Sequence, residues 1–242
     1  MKRLLLIPVA IAVILTSSIS VASKDQLYVK AEAGPFVLSK VRNKIFNRKE
    51  GEGGGGIVNF GVGYYVMDNV RADVTFHFAN PKLNGSTSKT TTRTYNILGI
   101  QKEIETPVTK KIKHIGKVMS LLLNSYVNLY DGSIVKLFVG AGVGMARVKE
   151  KITIDEEWAL VAPGAENFIP TQRDYMSTKK VNNFAYQLTA GASINVSKAV
   201  NIDVVYGWIN YGKTKSQKYK DTEIAKISYR GINLMAGLRF DI

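Results

Sequence analysis

The only imidazole groups that could perform acid–base or metal chemistry belong to His77 and His114. The sequence has no cysteine, which excludes thiolate metal sites, cysteine nucleophiles and disulfide scaffolds. A hydrolase would need a histidine beside a nucleophile. Neither histidine has a serine and a carboxylate at a sequence spacing that would indicate a catalytic triad. We therefore predict no catalytic residue, no metal and no cofactor. We interpret His77 as a hydrogen-bonded interior residue and His114 as a loop residue.

Positively charged side chains are the second group of residues that could bind a ligand. Lysine and arginine number 33 against 19 aspartates and glutamates, which gives a formal net charge of +14. Such an excess predicts an acidic partner. Most of the excess falls in segments that read as loops, so we expect these loops to bind the ligand. The candidate ligand-binding residues are Lys82, Lys89, Arg93, Lys110, Lys111, Lys113, Lys213, Lys215, Lys218 and Lys220.

The first residues have the pattern of an export signal. Lys2 and Arg3 precede an apolar run of about 12 residues, which is too short for a membrane-spanning helix of about 20. Small residues follow, including Ser20 and Ala22. We predict a cleaved signal peptide over residues 1–23 and a single domain over residues 24–242, with an uncleaved anchor as the alternative. Export argues against nucleic acid as a partner.

The rest of the chain alternates with a period of two residues. In the segment 70–78, Val74 and Phe76 share one face while Arg71 and Asp73 share the other. This alternation is typical of a β-strand with one apolar face and one polar face. Similar segments recur from near Leu27 to the end of the sequence, and we count eight strands.

The lengths of the connections separate a membrane barrel from a soluble sandwich. Turns of about three to five residues alternate strictly with long connections, as in outer-membrane barrels with short periplasmic turns and long external loops. Aromatic residues on the apolar face also fall near both strand ends, where membrane interfaces lie. We predict an all-β fold, an eight-stranded antiparallel up-and-down transmembrane β-barrel with four long external loops. The predicted loops are residues 35–56, 79–117, 149–181 and 210–227.

Charged residues occur on the polar face, which would line the interior of such a barrel. An eight-stranded barrel is just wide enough for its side chains to fill it, and unpaired ions there would be costly. We therefore expect a packed polar plug with a paired ion network, and we retain an ion pathway as the alternative. The predicted network consists of Lys30, Glu32, Arg71, Asp73, Lys136, Asp203 and Arg239.

Two glycine-rich strands carry a family resemblance. The segment from Val139 to Gly144 alternates glycine with small apolar residues, and the segment from Gly61 to Asp73 contains a turn followed by an arginine and an aspartate. With the signal peptide and eight strands, these segments resemble the small OmpA/OmpX-type outer-membrane barrels. The lysine- and asparagine-rich chain is most similar to surface adhesins of rickettsiae. The resemblance implies an outer-membrane location and binding of host vitronectin, which promotes attachment and serum resistance.

Several functions remain open at this point. The basic loops could bind an acidic host protein or a sulfated glycan, or they could contact the anionic phosphates of the outer-membrane lipid beside them. A structural barrel or minor porin is the alternative to an adhesin, and an outer-membrane hydrolase is a third hypothesis.

Overall fold

The computed structural model describes residues 26–39, 42–43, 48–49, 53–97, 100–160, 169–215, 217–219, 222–224 and 227–242. The predicted signal peptide, residues 1–23, lies outside these ranges. Every regular element within them is a β-strand. None of the described residues forms a helix with the length and hydropathy needed to span a membrane.

Thirteen strands are present in the described ranges, and they differ widely in length. Four of them are short pieces of two or three residues at one end of the molecule. In chain order the strands are β1 (Leu27–Leu38), β2 (Arg42–Asn43), β3 (Arg48–Lys49), β4 (Gly54–Met67), β5 (Val70–Ala79), β6 (Lys82–Ile97), β7 (Ile100–Asp131), β8 (Val135–Leu160), β9 (Ile169–Asn195), β10 (Val200–Lys213), β11 (Gln217–Tyr219), β12 (Thr222–Ile224) and β13 (Ser228–Asp241).

Eight of these strands close into a ring. The order is β1-β13-β10-β9-β8-β7-β5-β4, and β4 pairs back with β1, with every neighbouring pair antiparallel. Closure satisfies the backbone hydrogen bonds of every strand, which is the condition for a sheet to span a lipid bilayer. The predicted eight-stranded antiparallel barrel is therefore confirmed. The ninth strand of the sheet, β6, lies outside the ring and pairs along β7.

The two ends of the barrel differ as predicted. Residues 68–69, 132–134 and 196–199 form three short connections at one end, which by the rule for outer-membrane barrels is the periplasmic end. We call the opposite end, where the strands extend furthest, the outer end.

The second and third external segments are more ordered than loops. β6 and the first part of β7 form one long hairpin, whose register runs from Lys82 opposite Ile115 to Ile97 opposite Ile100. β8 and β9 likewise stay paired as far as Leu160 opposite Ile169. The interpretation of residues 79–117 and 149–181 as loops is therefore wrong for most of their length. The described residues on the outward face of these extensions are mostly polar, including Lys111, Lys113 and Lys149, so the outward apolar stripe of the other strands does not continue into them.

The outward face of the barrel is apolar. Met145, Phe184 and Leu188 are each about 60% exposed, although they are large hydrophobic residues in the middle of strands. Such a surface belongs in contact with lipid acyl chains, because exposing it to water would cost about 25 cal/mol per Å². Aromatic rings gather toward the outer end of this face, where Tyr186 and Trp208 have ring centroids 5.6 Å apart. The predicted orientation of the two faces is confirmed.

The interior is divided into two levels. Charged and amide side chains fill the part nearer the periplasmic turns, whereas most of the buried apolar residues lie toward the outer end. Phe36, Val148, Ile209 and Tyr211 belong to this outer apolar core and are fully buried. The predicted packed polar plug thus describes only the lower level. The upper level, beneath the outer end, consists mainly of buried apolar side chains.

Candidate functional site

The lower interior is organised around the ammonium group of Lys30. Its Nζ lies 2.8 Å from a carboxylate oxygen of Asp73 and 3.6 Å from one of Glu32. Lys30 also donates a hydrogen bond of 2.9 Å to the hydroxyl of Tyr126. Glu32 lies two residues after Lys30 on β1 and therefore points to the same side of the strand. Asp73 is an inward-facing, buried residue of β5. This group is therefore a buried ion network with two acids for one base.

Asp73 accepts several further hydrogen bonds. Its carboxylate receives 2.7 Å bonds from both the Thr75 hydroxyl and the Asn124 amide, and a 3.1 Å bond from the Tyr28 hydroxyl. A carboxylate with this many donors stays ionised in a low-dielectric interior, because its lost hydration is replaced. The network thus links β1, β5 and β7 to one another from the inside.

Arg239 is the centre of a second buried network, nearer the periplasmic end. Its guanidinium donates 2.8 Å to the Ser193 hydroxyl and lies 3.5 Å from Asp203 and 3.6 Å from Asp241. Asp241 also accepts hydrogen bonds from the Tyr65 hydroxyl at 3.1 Å and from an asparagine amide at 2.8 Å. Asp241 was absent from the predicted network. It has the same strand parity as Arg239, and that parity was the signal that could have identified it.

The remaining two predicted network residues have different surroundings. Arg71 is buried and lies over the rings of Tyr126 and Phe138, with its guanidinium carbon 4.9 and 4.3 Å from the ring centroids. Lys136 lies at the periplasmic rim, where it forms a 2.8 Å ion pair with the half-exposed Asp131 opposite it on the same hairpin. Its assignment to the interior network is therefore wrong. The turn of this hairpin places Asp131 beside Lys136, so Lys136 forms its ion pair at the rim and not with an acid of the interior.

The histidines are both buried in the barrel interior. His77 places Nδ1 3.4 Å from the Tyr211 hydroxyl, and His114 places Nδ1 3.1 Å from Glu150. The interpretation of His114 as a loop residue is wrong, because it points inward from β7. Glu150 was missed for the same reason, since its segment was read as a loop. Neither ring faces solvent, so a substrate could not reach them in this conformation.

The predicted ligand-binding cations fall into two groups. Lys82, Lys111, Lys113, Lys213 and Lys215 are exposed around the outer end of the barrel. Lys113 forms a 3.7 Å ion pair with Asp155, and it remains more than half exposed. The side chains of the other candidates lie outside the described residues. These are Lys89, Arg93, Lys110, Lys218 and Lys220.

Exposed charge is strongly polarised between the two ends. Among the side chains that the structure describes, Lys198 is the only exposed cation at the periplasmic end, and the exposed acids Asp68 and Asp131 also lie there. The other exposed cations all lie toward the outer end. They are Lys82, Lys111, Lys113, Lys117, Arg147, Lys149, Lys179, Lys180, Lys213, Lys215 and Arg230. The outer end therefore presents a cationic surface above a mainly apolar part of the interior.

The chain is similar to several known proteins. A family model described as the outer membrane protein beta-barrel domain matches residues 9–240. A protein of Rickettsia akari (strain Hartford) named "putative adhesin" is 34% identical over 252 residues, covering 100% of both chains. One of Rickettsia prowazekii (strain Madrid E) with the same description is 34% identical over 248 residues, again covering 100% of both. Neisserial surface protein A, a solved structure, is 18% identical with a TM-score of 0.44, covering 88% of this chain and 96% of that chain.

Proposed function

Since the chain belongs to the outer-membrane beta-barrel domain family and resides in the outer membrane, we propose that it is a non-enzymatic surface adhesin. Its cationic outer end binds an acidic region of a host extracellular protein. Vitronectin is the candidate partner, following the resemblance to rickettsial adhesins. Two relatives that align over their whole length are named "putative adhesin", which supports this role.

One observation carries the proposal. Apart from Lys198, the exposed lysines and arginines of the described residues lie toward the outer end, while the exposed acids Asp68 and Asp131 lie at the opposite end. The outer end faces the medium in barrels of this type, so its field reaches a macromolecule that approaches the cell. An acidic partner would be attracted to this end and reach the barrel in a favourable orientation.

Lysine determines what kind of recognition to expect. An ammonium group is a compact point charge on a flexible stem, and it imposes little geometry on the carboxylate or sulfate that it meets. Attraction should therefore depend strongly on ionic strength, because the screening length falls from about 8 Å at 0.15 M salt to about 3 Å at 1 M. Affinity would come from the sum of several exposed contacts, each contributing up to about 1 kcal/mol.

The test uses the refolded full chain in neutral detergent and a triple variant, Lys82→Gln with Lys213→Gln and Lys215→Gln, which we call the rim variant. Binding to immobilised vitronectin is measured across salt concentrations. We expect the rim variant to bind about tenfold more weakly at low salt, at roughly 0.5 kcal/mol for each exposed contact. The difference should shrink as salt rises.

The matched control also removes three positive charges, but from a different part of the outer end. Lys117→Gln, Lys149→Gln and Lys180→Gln together, the wall variant, neutralise cations on the outward face of the barrel wall. We expect the wall variant to bind vitronectin like the unmodified protein. Equal binding by the rim variant and the unmodified protein would refute the electrostatic mechanism. Binding of a sulfated glycan but not of vitronectin would refute the choice of partner.

A further inference from the structure

Three lysines form a row across neighbouring strands of the barrel wall. Lys117 of β7 lies directly opposite Lys149 of β8, and Lys149 lies directly opposite Lys180 of β9. All three side chains are exposed, and they point away from the barrel axis because the residues on either side of Lys117 and Lys149 are buried inside. Neighbouring strands lie about 4.8 Å apart, so three positive charges share a line of about 10 Å.

Two more cations lie next to this row on β8, one on each side of Lys149 along the strand. Arg147 lies two residues nearer the apolar wall, and Lys151 lies two residues further out, both on the same outward face. Arg147 is exposed and donates a 3.1 Å hydrogen bond through Nε to Asn182. We call Lys117, Arg147, Lys149, Lys151 and Lys180 the basic band.

The basic band has no counter-charge among the described residues. Glu150, which lies between two members of the band along β8, points into the barrel and contacts His114. Asp155 is further out and pairs with Lys113. Like charges directly opposite each other destabilise a sheet. The arrangement is therefore one that an external anion would stabilise.

The position of the basic band identifies what faces it. Leu121, Met145 and Phe184 form the last wholly apolar row of this wall, and each is more than half exposed. The lysine row is four residues further along the strand, about 13 Å at 3.3 Å per residue and about 10 Å in height for strands tilted by about 40°. Lysine stems bend toward such a boundary and place their charges in the headgroup layer. That layer of lipid is what the outward face of the wall meets at this height.

We propose that the basic band is a binding site for the phosphate group of an outer-leaflet lipid headgroup. The three lysines surround a phosphate as point charges, and Arg147 supplies two donors for a bidentate contact. The opposite wall has no such row of directly opposed cations among its described residues, because on β10 and β13 Arg230 lies opposite Asn210 and Lys213 lies opposite Ser228. The protein therefore holds a phosphorylated lipid on one side only.

The test measures how strongly the folded full chain in neutral detergent distinguishes two forms of one glycolipid, bis-phosphorylated lipid A and the same lipid with both phosphates removed. Native mass spectrometry counts the retained lipid. The unmodified protein should prefer the phosphorylated form by about a hundredfold, at a factor of about five for each of the three lysines of the row. The wall variant should lose most of this preference.

Three controls make the result decisive. The rim variant, with the same loss of charge, should keep the full preference. A wall variant with arginine in place of the three lysines should also keep it. Each protein is compared only after it migrates on a gel as the folded barrel. An undiminished preference in the wall variant would overturn the proposal. Equally effective competition by free inorganic phosphate would overturn the assignment to a lipid headgroup.

This proposal and the host-ligand proposal can fail separately. The rim variant is expected to lose vitronectin and keep lipid A, whereas the wall variant is expected to do the reverse. Loss of both ligands in both variants would contradict the division of the outer-end cations into two sites.

Discussion

Lysine has opposite surroundings in two regions of this barrel. Lys30, inside, lies 2.8 Å from Asp73 and 3.6 Å from Glu32, and its ammonium is almost fully buried. Lys149, on the outer wall, is exposed and lies between two other lysines in the register of the sheet. The two residues belong to the same sheet, yet one lies among acids and the other among bases.

The difference follows from what each environment can provide. Inside the barrel little water is available, so the chain itself must supply a partner for every charge. Outside, solvent and lipid headgroups supply counter-ions, so the chain can place like charges together at about 1 kcal/mol or less per opposed pair. An uncompensated cluster is therefore tolerable only on the outside. It is also there that such a cluster can bind an external anion.

The largest effect on stability is expected when Asp73, the interior acid closest to Lys30, is replaced. Asp73→Asn leaves the ammonium of Lys30 buried with a weaker partner, and we expect a loss of about 3 to 5 kcal/mol in the free energy of unfolding. Urea unfolding in lipid vesicles measures it. The control is Asp155→Asn, which removes the partner of the exposed Lys113 and should change stability by less than about 1 kcal/mol. Similar losses in the two variants would contradict the distinction.

A second test compares the packing of the two faces. Gly142 lies against the Asn124 amide inside the barrel, and an added Cβ there would overlap that amide's oxygen. Gly142→Ala should destabilise the barrel by about 1 to 3 kcal/mol, as overpacked interiors do. Ala141 is the next residue and faces lipid, so Ala141→Val should have little effect on the same urea midpoint. A tolerated alanine at position 142 would show that the interior is loosely filled.

The smallest expected effect has the opposite sign. Lys149→Gln removes the middle charge of the lysine row, so in neutral detergent the barrel should gain a few tenths of a kcal/mol. Lys198→Gln, a single exposed cation in a periplasmic turn, is the control and should leave stability unchanged. A destabilised Lys149→Gln barrel in neutral detergent would mean that the lysines interact favourably with groups of the protein itself.

The sequence was sufficient for the membrane-spanning part of the fold. Period-two alternation identified the eight strands, and parity alone placed Lys30, Glu32, Asp73, Asp203 and Arg239 on the inward face. These predictions succeed because lipid outside and a narrow interior impose opposite polarities on successive residues. Parity cannot say which acid meets which base, since that depends on strand stagger and on side-chain reach.

The extended hairpins were beyond that reasoning. Beyond the hydrocarbon layer the outward face meets headgroups and water, so Lys111, Lys113 and Lys117 alternate with inward residues without forming an apolar stripe. A strand with a charged outward face has the sequence pattern of a loop. The contact between His114 and Glu150 therefore could not be predicted either. The lysine row was missed for a related reason, because it exists only in the register between three strands. No linear motif encodes it.

The long hairpin of β6 and β7 has a practical consequence. Its strands remain paired to Ile97 and Ile100, far beyond the ring, whereas Asp68 and Asn69 form a two-residue turn on the other side of the membrane. A foreign peptide inserted between Ile97 and Ile100 would be displayed to antibodies on intact cells. The same peptide at the tight turn would stay hidden until the envelope was broken, so one epitope placed at two sites reports the orientation of the whole molecule.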